Sequence, residues 1–466
     1  MKEIRRNLRI VGTLIVCLFL GLAAWYAATV YDQGSIWASN VYNQRLSRSN
    51  LRRGDILDRR GNILATTDED GSRVYLSDAD DRRALAHTVG DTAGMSGTGV
   101  ENYYSATLLD VSTSLTDRLS ELFSHSQRMG SSVQLTIDGP WTAYVSSIFP
   151  QGYNGAVCIM NYKTGEILVM VSKPDYDPYA LANRAEEDVV DSAYINRCLQ
   201  GQYAPGSVFK IVTCASALTY LDGIEQQTIT CSSSWKYEGG SIVCGSGNIT
   251  HGNINLKTAL SKSCNVAFGK IAYQLGFDRL GATAENFGFN YNFQFDDLTL
   301  YNSSFPTKSG NMSDLVWAGI GQSTVTVSPM HMCMIASSVA NGGVMMEPKL
   351  VKEIRTSLGV VTKSLSPAPF RRVMDASVAD KIASYMYEAV KSGTATKAAI
   401  PGYTVCGKTG SAETSDNKSK ATNAWYVGFL YDDNHPYCIS VVIEEGGAGG
   451  NIAASLASKA LAYCVR

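Results

Sequence analysis

The sequence lacks an excess of charge of either sign. Its 40 Lys and Arg residues nearly balance 42 Asp and Glu residues, which leaves a net charge of −2. A strong basic excess is the usual mark of a nucleic-acid-binding protein, so its absence argues against nucleic acid as the main partner. The chain also lacks internal repeats and low-complexity tracts, which excludes a repeat-array architecture. With 466 residues, 45% of them hydrophobic, it is long enough for two or more domains and a large core.

The eleven cysteines lack closely spaced pairs of the C-x-x-C type. A zinc site built on Cys231, Cys244 and His251 is therefore disfavoured, and no metal or other cofactor is predicted. Most of the cysteines interrupt apolar runs, which is typical of small buried side chains. Cys231 and Cys244 bracket a polar, glycine-containing segment that a hairpin disulfide could close, and the sequence leaves that pairing open.

The N-terminus combines basic residues with a long uncharged stretch. Lys2, Arg5, Arg6 and Arg9 precede residues 10–31, which carry no charge. These 22 residues are enough for a helix that crosses a bilayer, and the basic flank places the N-terminus in the cytoplasm. A cleaved signal peptide would have a shorter apolar core and a small-x-small site, so the pattern favours an uncleaved anchor. Everything after the anchor is then expected outside the cytoplasm.

The most informative local pattern is a serine and a lysine three residues apart, Ser207 and Lys210. On a helix this spacing brings the amine next to the hydroxyl, and Pro205-Gly206 predicts that the helix starts at the serine. The apolar run that follows predicts a buried lysine, whose neutral form can act as a base. The same pattern at 415–418 lies in a polar, charged stretch. Ser207 is therefore the predicted nucleophile of an acyl transfer.

A second pattern, Ser263-Cys264-Asn265, would provide a proton path to the leaving group. Ser263 and Asn265 join two helix-patterned segments, so a rigid connector can project their hydroxyl and amide into a cleft. Other S-x-N matches lie in glycine-rich or charged loops, at 246–248, 309–311 and 415–417.

A third pattern, Lys408-Thr409-Gly410-Ser411, would bind the substrate's carboxylate. It extends an apolar strand start, and Gly410 would let an extended peptide approach closely. The other K-T-G match, at 163–165, occupies a predicted hairpin turn and is explained by turn geometry alone.

Along the chain, apolar runs of strand length flank a long helix-patterned block. The order is two strands, the helical block, three strands and a helix, which predicts an α/β (α+β) fold with one antiparallel sheet flanked by helices and an inserted helical subdomain. The region before it is polar with short strand-like runs and reads as a small β-rich pedestal. The predicted strands are 156–160, 167–171, 403–406, 425–430 and 437–443, with the helical block at about 185–400 and the closing helix at 452–465.

Taken in order, the three patterns resemble those of the penicillin-recognising serine transferases and hydrolases, specifically the short class B penicillin-binding proteins. Residues 53–59 and 99–101 resemble the pedestal motifs of that class, and 135–138 and 165–168 resemble the entry to its transpeptidase domain. The resemblance implies four parts: a cytoplasmic tail at 1–9, a transmembrane anchor at 10–31, a pedestal at 32–150 and a transpeptidase domain at 151–466.

The resemblance also implies residue roles. Ser207 would be the acylated nucleophile and Lys210 its base, while Ser263 would relay a proton to the departing D-alanine. Asn265 would hold the peptide amide. The terminal carboxylate would be bound by Lys408, Thr409 and Ser411 beside Gly410, with the backbone N–H groups of Ser207 and Ser411 forming the oxyanion hole.

By this resemblance the expected function is a peptidoglycan D,D-transpeptidase that acts on D-Ala-D-Ala stem peptides and is inhibited by β-lactams. No glycosyltransferase domain fits between the anchor and residue 155, so a multi-span glycan polymerase is an expected partner. A D,D-carboxypeptidase would release the same acyl group to water, and the sequence barely separates the two. A β-lactamase would usually have neither anchor nor pedestal, and a β-lactam sensor would need a multi-span portion.

Overall fold

The computed structural model describes residues 2–38, 51–109, 128–179, 191–245, 249–306, 311–413 and 422–466. Helices and strands alternate in blocks, as predicted, and short 3-10 turns lie at Asp191–Tyr194, Gly206–Phe209 and Thr396–Ala398. The helices are α1 Lys2–Ala38, α2 Ala79–Val89, α3 Val100–Tyr103, α4 Ser105–Leu108, α5 Gly139–Ser147, α6 Arg197–Gln200, α7 Lys210–Tyr220, α8 Leu256–Ser261, α9 Asn265–Asn286, α10 Met312–Ala318, α11 Pro329–Ala340, α12 Ala376–Ser392 and α13 Ile452–Cys464. The strands are β1 Leu51–Arg52, β2 Ile56–Leu57, β3 Ile63–Thr67, β4 Arg73–Tyr75, β5 Arg128–Met129, β6 Ser132–Leu135, β7 Gly155–Asn161, β8 Ile167–Lys173, β9 Ile229–Cys231, β10 Ser234–Tyr237, β11 Gly240–Val243, β12 Gly252–Ile254, β13 Val344–Met346, β14 Val351–Arg355, β15 Val361–Ser364, β16 Pro369–Arg372, β17 Val405–Ala412, β18 Asn423–Leu430 and β19 Tyr437–Ile443.

The central sheet has five strands in the order β17-β18-β19-β7-β8, and every neighbouring pair is antiparallel. Alternate residues of β7 face opposite layers: Cys158 and Met160 pack in the cluster that contains α11, whereas Val157 and Ile159 pack in the cluster that contains α13. Because both faces are covered, β7, β8, β18 and β19 are mainly apolar runs, whereas β17 carries the polar residues Lys408, Thr409 and Ser411. The predicted antiparallel sheet flanked by helices is confirmed, as are its two early and three late strands.

The block at 185–400 is less helical than predicted, because eight short strands, β9–β16, lie between its helices. They pair as β9–β12, β10–β11, β13–β16 and β14–β15. In the β10–β11 hairpin only Ile242 is fully buried, so the strands lack the apolar alternation that marks a half-buried strand. This explains why the sequence pattern missed them.

A second sheet, in the order β15-β14-β6-β2-β3-β4, takes strands from both sides of the predicted boundary at residue 150. β6 pairs in parallel with β2 and antiparallel with β14. The two pedestal-like motifs also meet, because the buried carboxylate of Glu101 pairs with Arg53 at 2.6 Å and with Arg73. The pedestal region is therefore joined to the later chain by backbone hydrogen bonds, and its boundary stays a prediction.

The N-terminal helix α1 contains the predicted anchor, and its side chains at 10–26 are exposed. Within the described parts of the chain, no helix combines the length and the hydropathy needed to cross a membrane. The anchor stays a prediction.

Candidate active site

Ser207 lies in the 3-10 turn Gly206–Phe209, directly before α7, so the regular helix begins at Lys210 rather than at the serine as predicted. The cause is Gly206, whose φ of +56° lies in the left-handed region and whose N–H donates to the Gly321 carbonyl at 2.8 Å. A Cβ at Gly206 would come within 2.9 Å of the Ser411 carbonyl oxygen. The glycine therefore allows the turn to lie directly against β17.

Lys210 is fully buried, and its Nζ connects the first two sequence patterns. It lies 3.0 Å from Ser207 Oγ, 2.8 Å from the Ser263 carbonyl oxygen and 2.7 Å from Asn265 Oδ1. Burial lowers the pKa of this lysine to about 8, because the charged form loses its hydration. The pKa of the amine therefore lies close to neutral pH, and the amine is within hydrogen-bond distance of the predicted nucleophile. General-base catalysis requires both conditions.

Ser263 lies in the connector between α8 and α9, with a positive φ of 57°. Its Oγ lies 2.8 Å from Lys408 Nζ and 3.3 Å from Lys210 Nζ, so one hydroxyl links the two lysines. The next residue, Cys264, caps α9 by accepting the Ala267 N–H at its Sγ. The connector between two helices predicted from the sequence is therefore present, and its Ser263 hydroxyl lies within hydrogen-bond distance of both amines.

Lys408 is buried on β17, and its Nζ also donates to the Thr409 carbonyl at 2.7 Å. Burial lowers its pKa well below the usual value, and the neighbouring charge of Lys210 lowers it further. Both amines lie within 3.3 Å of Ser263 Oγ, so two positively charged ammonium groups there would repel each other. One of the two lysines is therefore favoured in its neutral form. An incoming carboxylate next to Lys408 would favour the charge there and leave Lys210 as the neutral base.

The rest of the third pattern lies along β17, which is an edge strand of the central sheet. Thr409 Oγ1 contacts Thr394 Oγ1 at 2.7 Å, and the exposed Ser411 accepts the Gly449 N–H at 3.3 Å. Gly410 faces the Ser207 turn, where a Cβ would lie 3.0 Å from the Pro205 carbonyl oxygen. An edge strand with one unpaired side can accept an extended peptide.

These groups share a cleft of about 630 Å³, which Ser207, Ser263, Asn265, Thr409, Gly410 and Ser411 all help to line. Lys210 and Lys408 lie beneath it, so the structure brings all eight predicted site residues together. The rival K-T-G copy at 163–165 lies in the turn between β7 and β8, where Lys163 pairs with Asp433. The other rival copies fall wholly or partly outside the described residues.

The family comparison agrees with this arrangement. The model of the penicillin binding protein transpeptidase domain matches residues 155–462, about two thirds of the chain. The chain belongs to this family. It is similar to the peptidoglycan D,D-transpeptidase PbpA of Mycolicibacterium smegmatis, with 29% identity over 99% of both chains. It is also 30% identical to PbpA of Mycobacterium tuberculosis H37Rv over 73% of each chain.

Solved penicillin-binding protein structures share the fold. Penicillin-binding protein A from M. tuberculosis, as its ceftriaxone acyl-enzyme complex, superimposes with a TM-score of 0.82 and 27% identity over 90% of this chain and 99% of that one. Together with the site, the relatives confirm that the chain is a class B penicillin-binding protein and a serine D,D-transpeptidase, as its motifs predicted.

Sequence reasoning missed Thr394 and Gly449, which contact Thr409 and Ser411 in this penicillin-binding protein. Neither belongs to a short motif. Both reach β17 only through tertiary folding, since Thr394 follows α12 and Gly449 precedes α13. The only local signal is glycine in the turns, which marks chain reversal and not function.

The cysteines differ from the sequence expectation in one place. All eleven are free thiols, and Cys231 and Cys244 approach to 3.6 Å between sulfurs without a disulfide. His251 and Cys264 join them, and the four ligand atoms lie within 4.8 Å of one another. Folding, and not local spacing in the sequence, therefore brings these four donors together.

Proposed function

We propose that this penicillin-binding protein cross-links peptidoglycan through an acyl-enzyme at Ser207. The observation that carries the proposal is the contact of 3.0 Å between Ser207 Oγ and the buried Lys210 Nζ. The neutral amine accepts the serine proton as Oγ attacks the carbonyl between the two D-alanines of a stem peptide. The backbone N–H groups of Ser207 and Ser411 stabilise the oxyanion.

The leaving group then needs a proton. Ser263 Oγ is within hydrogen-bond distance of both lysine amines, so it can pass the proton from Lys210 to the nitrogen of the departing D-alanine. Asn265 is held in place by Lys210 at its Oδ1 and donates its Nδ2 to the Val243 carbonyl at 3.0 Å, which fixes its amide beside the peptide. An amine of a neighbouring stem attacks the ester by the reverse steps.

Strand β17 binds the substrate. The terminal carboxylate of the stem lies against Lys408, Thr409 and Ser411, and the peptide pairs with the open strand edge at Gly410. This arrangement explains why one residue without a side chain, Gly410, lies between the hydroxyls of Thr409 and Ser411.

Labelling of the purified chain with a fluorescent penicillin tests the nucleophile. Ser207→Ala should abolish covalent label, whereas Ser147→Ala, which changes an exposed serine that does not line the cleft, should label like the wild type. Lys408→Ala should label at least tenfold more slowly, while Lys163→Ala, in the other K-T-G copy, should have no effect. Persistent label on Ser207→Ala would refute the assignment of Ser207 as the nucleophile. Cross-linking itself is measured separately, by product analysis with a lipid-linked substrate and an amine acceptor.

We also propose that residues 10–31 anchor the protein in the cell membrane as a single span, with the N-terminus cytoplasmic and the enzyme outside. Support comes from the basic flank and from the exposed apolar side chains of α1. A membrane-embedded glycan polymerase is the partner proposed to supply the glycan strands, because the matched family domain, residues 155–462, is a transpeptidase and not a glycosyltransferase. Deleting residues 1–31 should move the protein from the membrane to the soluble fraction, and no change would refute the anchor.

A further inference from the structure

Beside the active site, three thiols and one imidazole meet at a single point. Cys231 ends β9, Cys244 follows β11, His251 precedes β12, and Cys264 caps α9. The three sulfurs are buried, and His251 is half-buried at the edge of the cleft. Within the described residues, this is the one group of at least three His, Cys, Asp or Glu donors that could share an ion.

Three of the six donor–donor distances match a tetrahedral metal centre, and all six are at most 4.8 Å. Neighbouring ligand atoms lie 3.6 Å apart for Cys231 and Cys244, 3.5 Å for Cys244 and Cys264, and 3.5 Å for Cys231 Sγ and His251 Nδ1. Metal–sulfur bonds of about 2.3 Å and metal–nitrogen bonds of about 2.0 Å at tetrahedral angles require edges of about 3.5–3.8 Å. A disulfide would instead need sulfurs about 2.05 Å apart.

The surroundings support thiolate ligands. The backbone N–H of Val266 donates to Cys244 Sγ at 3.4 Å, and that of Ala267 donates to Cys264 Sγ at 3.3 Å. Such N–H···S contacts at the first turn of α9 stabilise negative sulfur and orient it, as outer-shell groups do in metal sites. Cys333 and Cys438 also have sulfurs 3.6 Å apart, but among the described residues they do not form a group of three or more donors that could hold an ion.

We propose that Cys231, Cys244, Cys264 and His251 bind one Zn²⁺ ion. Three thiolates and one imidazole form a closed tetrahedral set without a position for water, which is typical of structural zinc. The ligand Cys264 lies between Ser263 and Asn265, and Asn265 is also bonded to Val243, the residue before Cys244. The ion would therefore fix the connector that carries Ser263 and Asn265, and this second part of the inference rests on the proposed function.

Metal analysis of the full-length protein in detergent tests the site. Wild-type protein should contain about one zinc per chain, and Co²⁺ added to chelator-stripped protein should give the visible and charge-transfer absorption of a tetrahedral thiolate complex. Cys231→Ser and His251→Ala should lose zinc, while Cys333→Ser, in the pair outside this group of donors, should keep it. Wild-type protein without stoichiometric zinc, equal zinc in all variants, or a Cys231–Cys244 disulfide in the isolated protein would overturn the proposal.

A second measurement separates the ion from the active-site assignment. Chelator-stripped wild-type protein should be acylated by fluorescent penicillin about 10–100-fold more slowly, and Zn²⁺ should restore the rate. Circular dichroism before and after stripping checks that the chain stays folded. Zinc binding with no change in acylation would overturn the positioning role alone, whereas loss of label in Ser207→Ala reports on the nucleophile without reference to zinc.

Discussion

At the scale of the residue, Lys210 carries the chemistry because its environment and its contacts agree. Full burial lowers its pKa to about 8, and the same amine lies against Ser207, Ser263 and Asn265. Below that pKa the lysine is protonated and cannot accept the serine proton. The rate of acylation by a penicillin should therefore rise with pH, roughly tenfold per unit, and level off above about 8.

Lys210→Arg is the matched control for that pH profile, because arginine keeps the positive charge at every accessible pH. Acylation of this variant should be slower by about 10²–10⁴-fold and should not recover as the pH rises. The measurement is the second-order rate of fluorescent-penicillin labelling at a series of pH values. A wild-type rate that is independent of pH below 8 would show that Lys210 is not the base.

The residues of the active site were predictable because each pair is local. Ser207 and Lys210, or Ser263 and Asn265, are fixed within one turn or connector, so spacing and neighbouring apolar residues sufficed to choose them. The cysteine cluster was not predictable in this way. Its four donors are spread over residues 231–264 on three strand ends and a helix cap, and only the folded chain brings them together.

At the scale of the element, the site depends on how closely β17 approaches the Ser207 turn. A Cβ at Gly410 would lie 3.0 Å from the Pro205 carbonyl oxygen and 3.1 Å from Val208 Cγ1. In Gly410→Ala the strand must shift by a few tenths of an ångström, which misaligns Lys408 with Ser263. Acylation should fall about tenfold, since small misplacements of catalytic groups are costly.

Gly97→Ala is the control for this variant, because no atom lies within 4 Å of a Cβ at Gly97. Both variants should be compared with the wild type in labelling rate and in melting temperature. A Gly410→Ala protein that labels as fast as Gly97→Ala would mean that β17 and the turn tolerate the shift.

The long elements were also predicted better than the short ones. Four strands of the central sheet, β7, β8, β18 and β19, are buried on both faces, so their apolar runs are visible in the sequence. Strands β9–β16 within the helical block have three to five residues each, and most of their side chains are exposed or half-buried, so their sequence carries no periodic signal. The start of α7 was misplaced for a related reason, because Gly206 is fixed by a contact with distant Gly321.

At the scale of the whole molecule, the sheet that contains β2, β6 and β14 links the early region to the transpeptidase domain. Because of this shared sheet, a destabilising substitution in the early region should lower the stability of the early region and of the transpeptidase domain together. Glu101 is buried there and pairs with Arg53 and Arg73. Glu101→Ala leaves two buried guanidinium groups without their carboxylate, which should lower the free energy of unfolding by about 3–5 kcal/mol.

Three of the six tryptophans, Trp235, Trp317 and Trp425, lie beyond the predicted boundary at residue 150, and replacing Trp25, Trp37 and Trp141 with Phe makes fluorescence report on that part of the chain. In Glu101→Ala the thermal transition followed by tryptophan fluorescence should move down together with that followed by circular dichroism. Lys163→Ala removes an exposed ion pair of little energetic weight and should leave both transitions in place. The contrary result would be a fluorescence transition at the wild-type temperature together with a circular dichroism transition at a lower temperature. It would mean that the early region unfolds alone and that the shared sheet does not couple its stability to that of the transpeptidase domain.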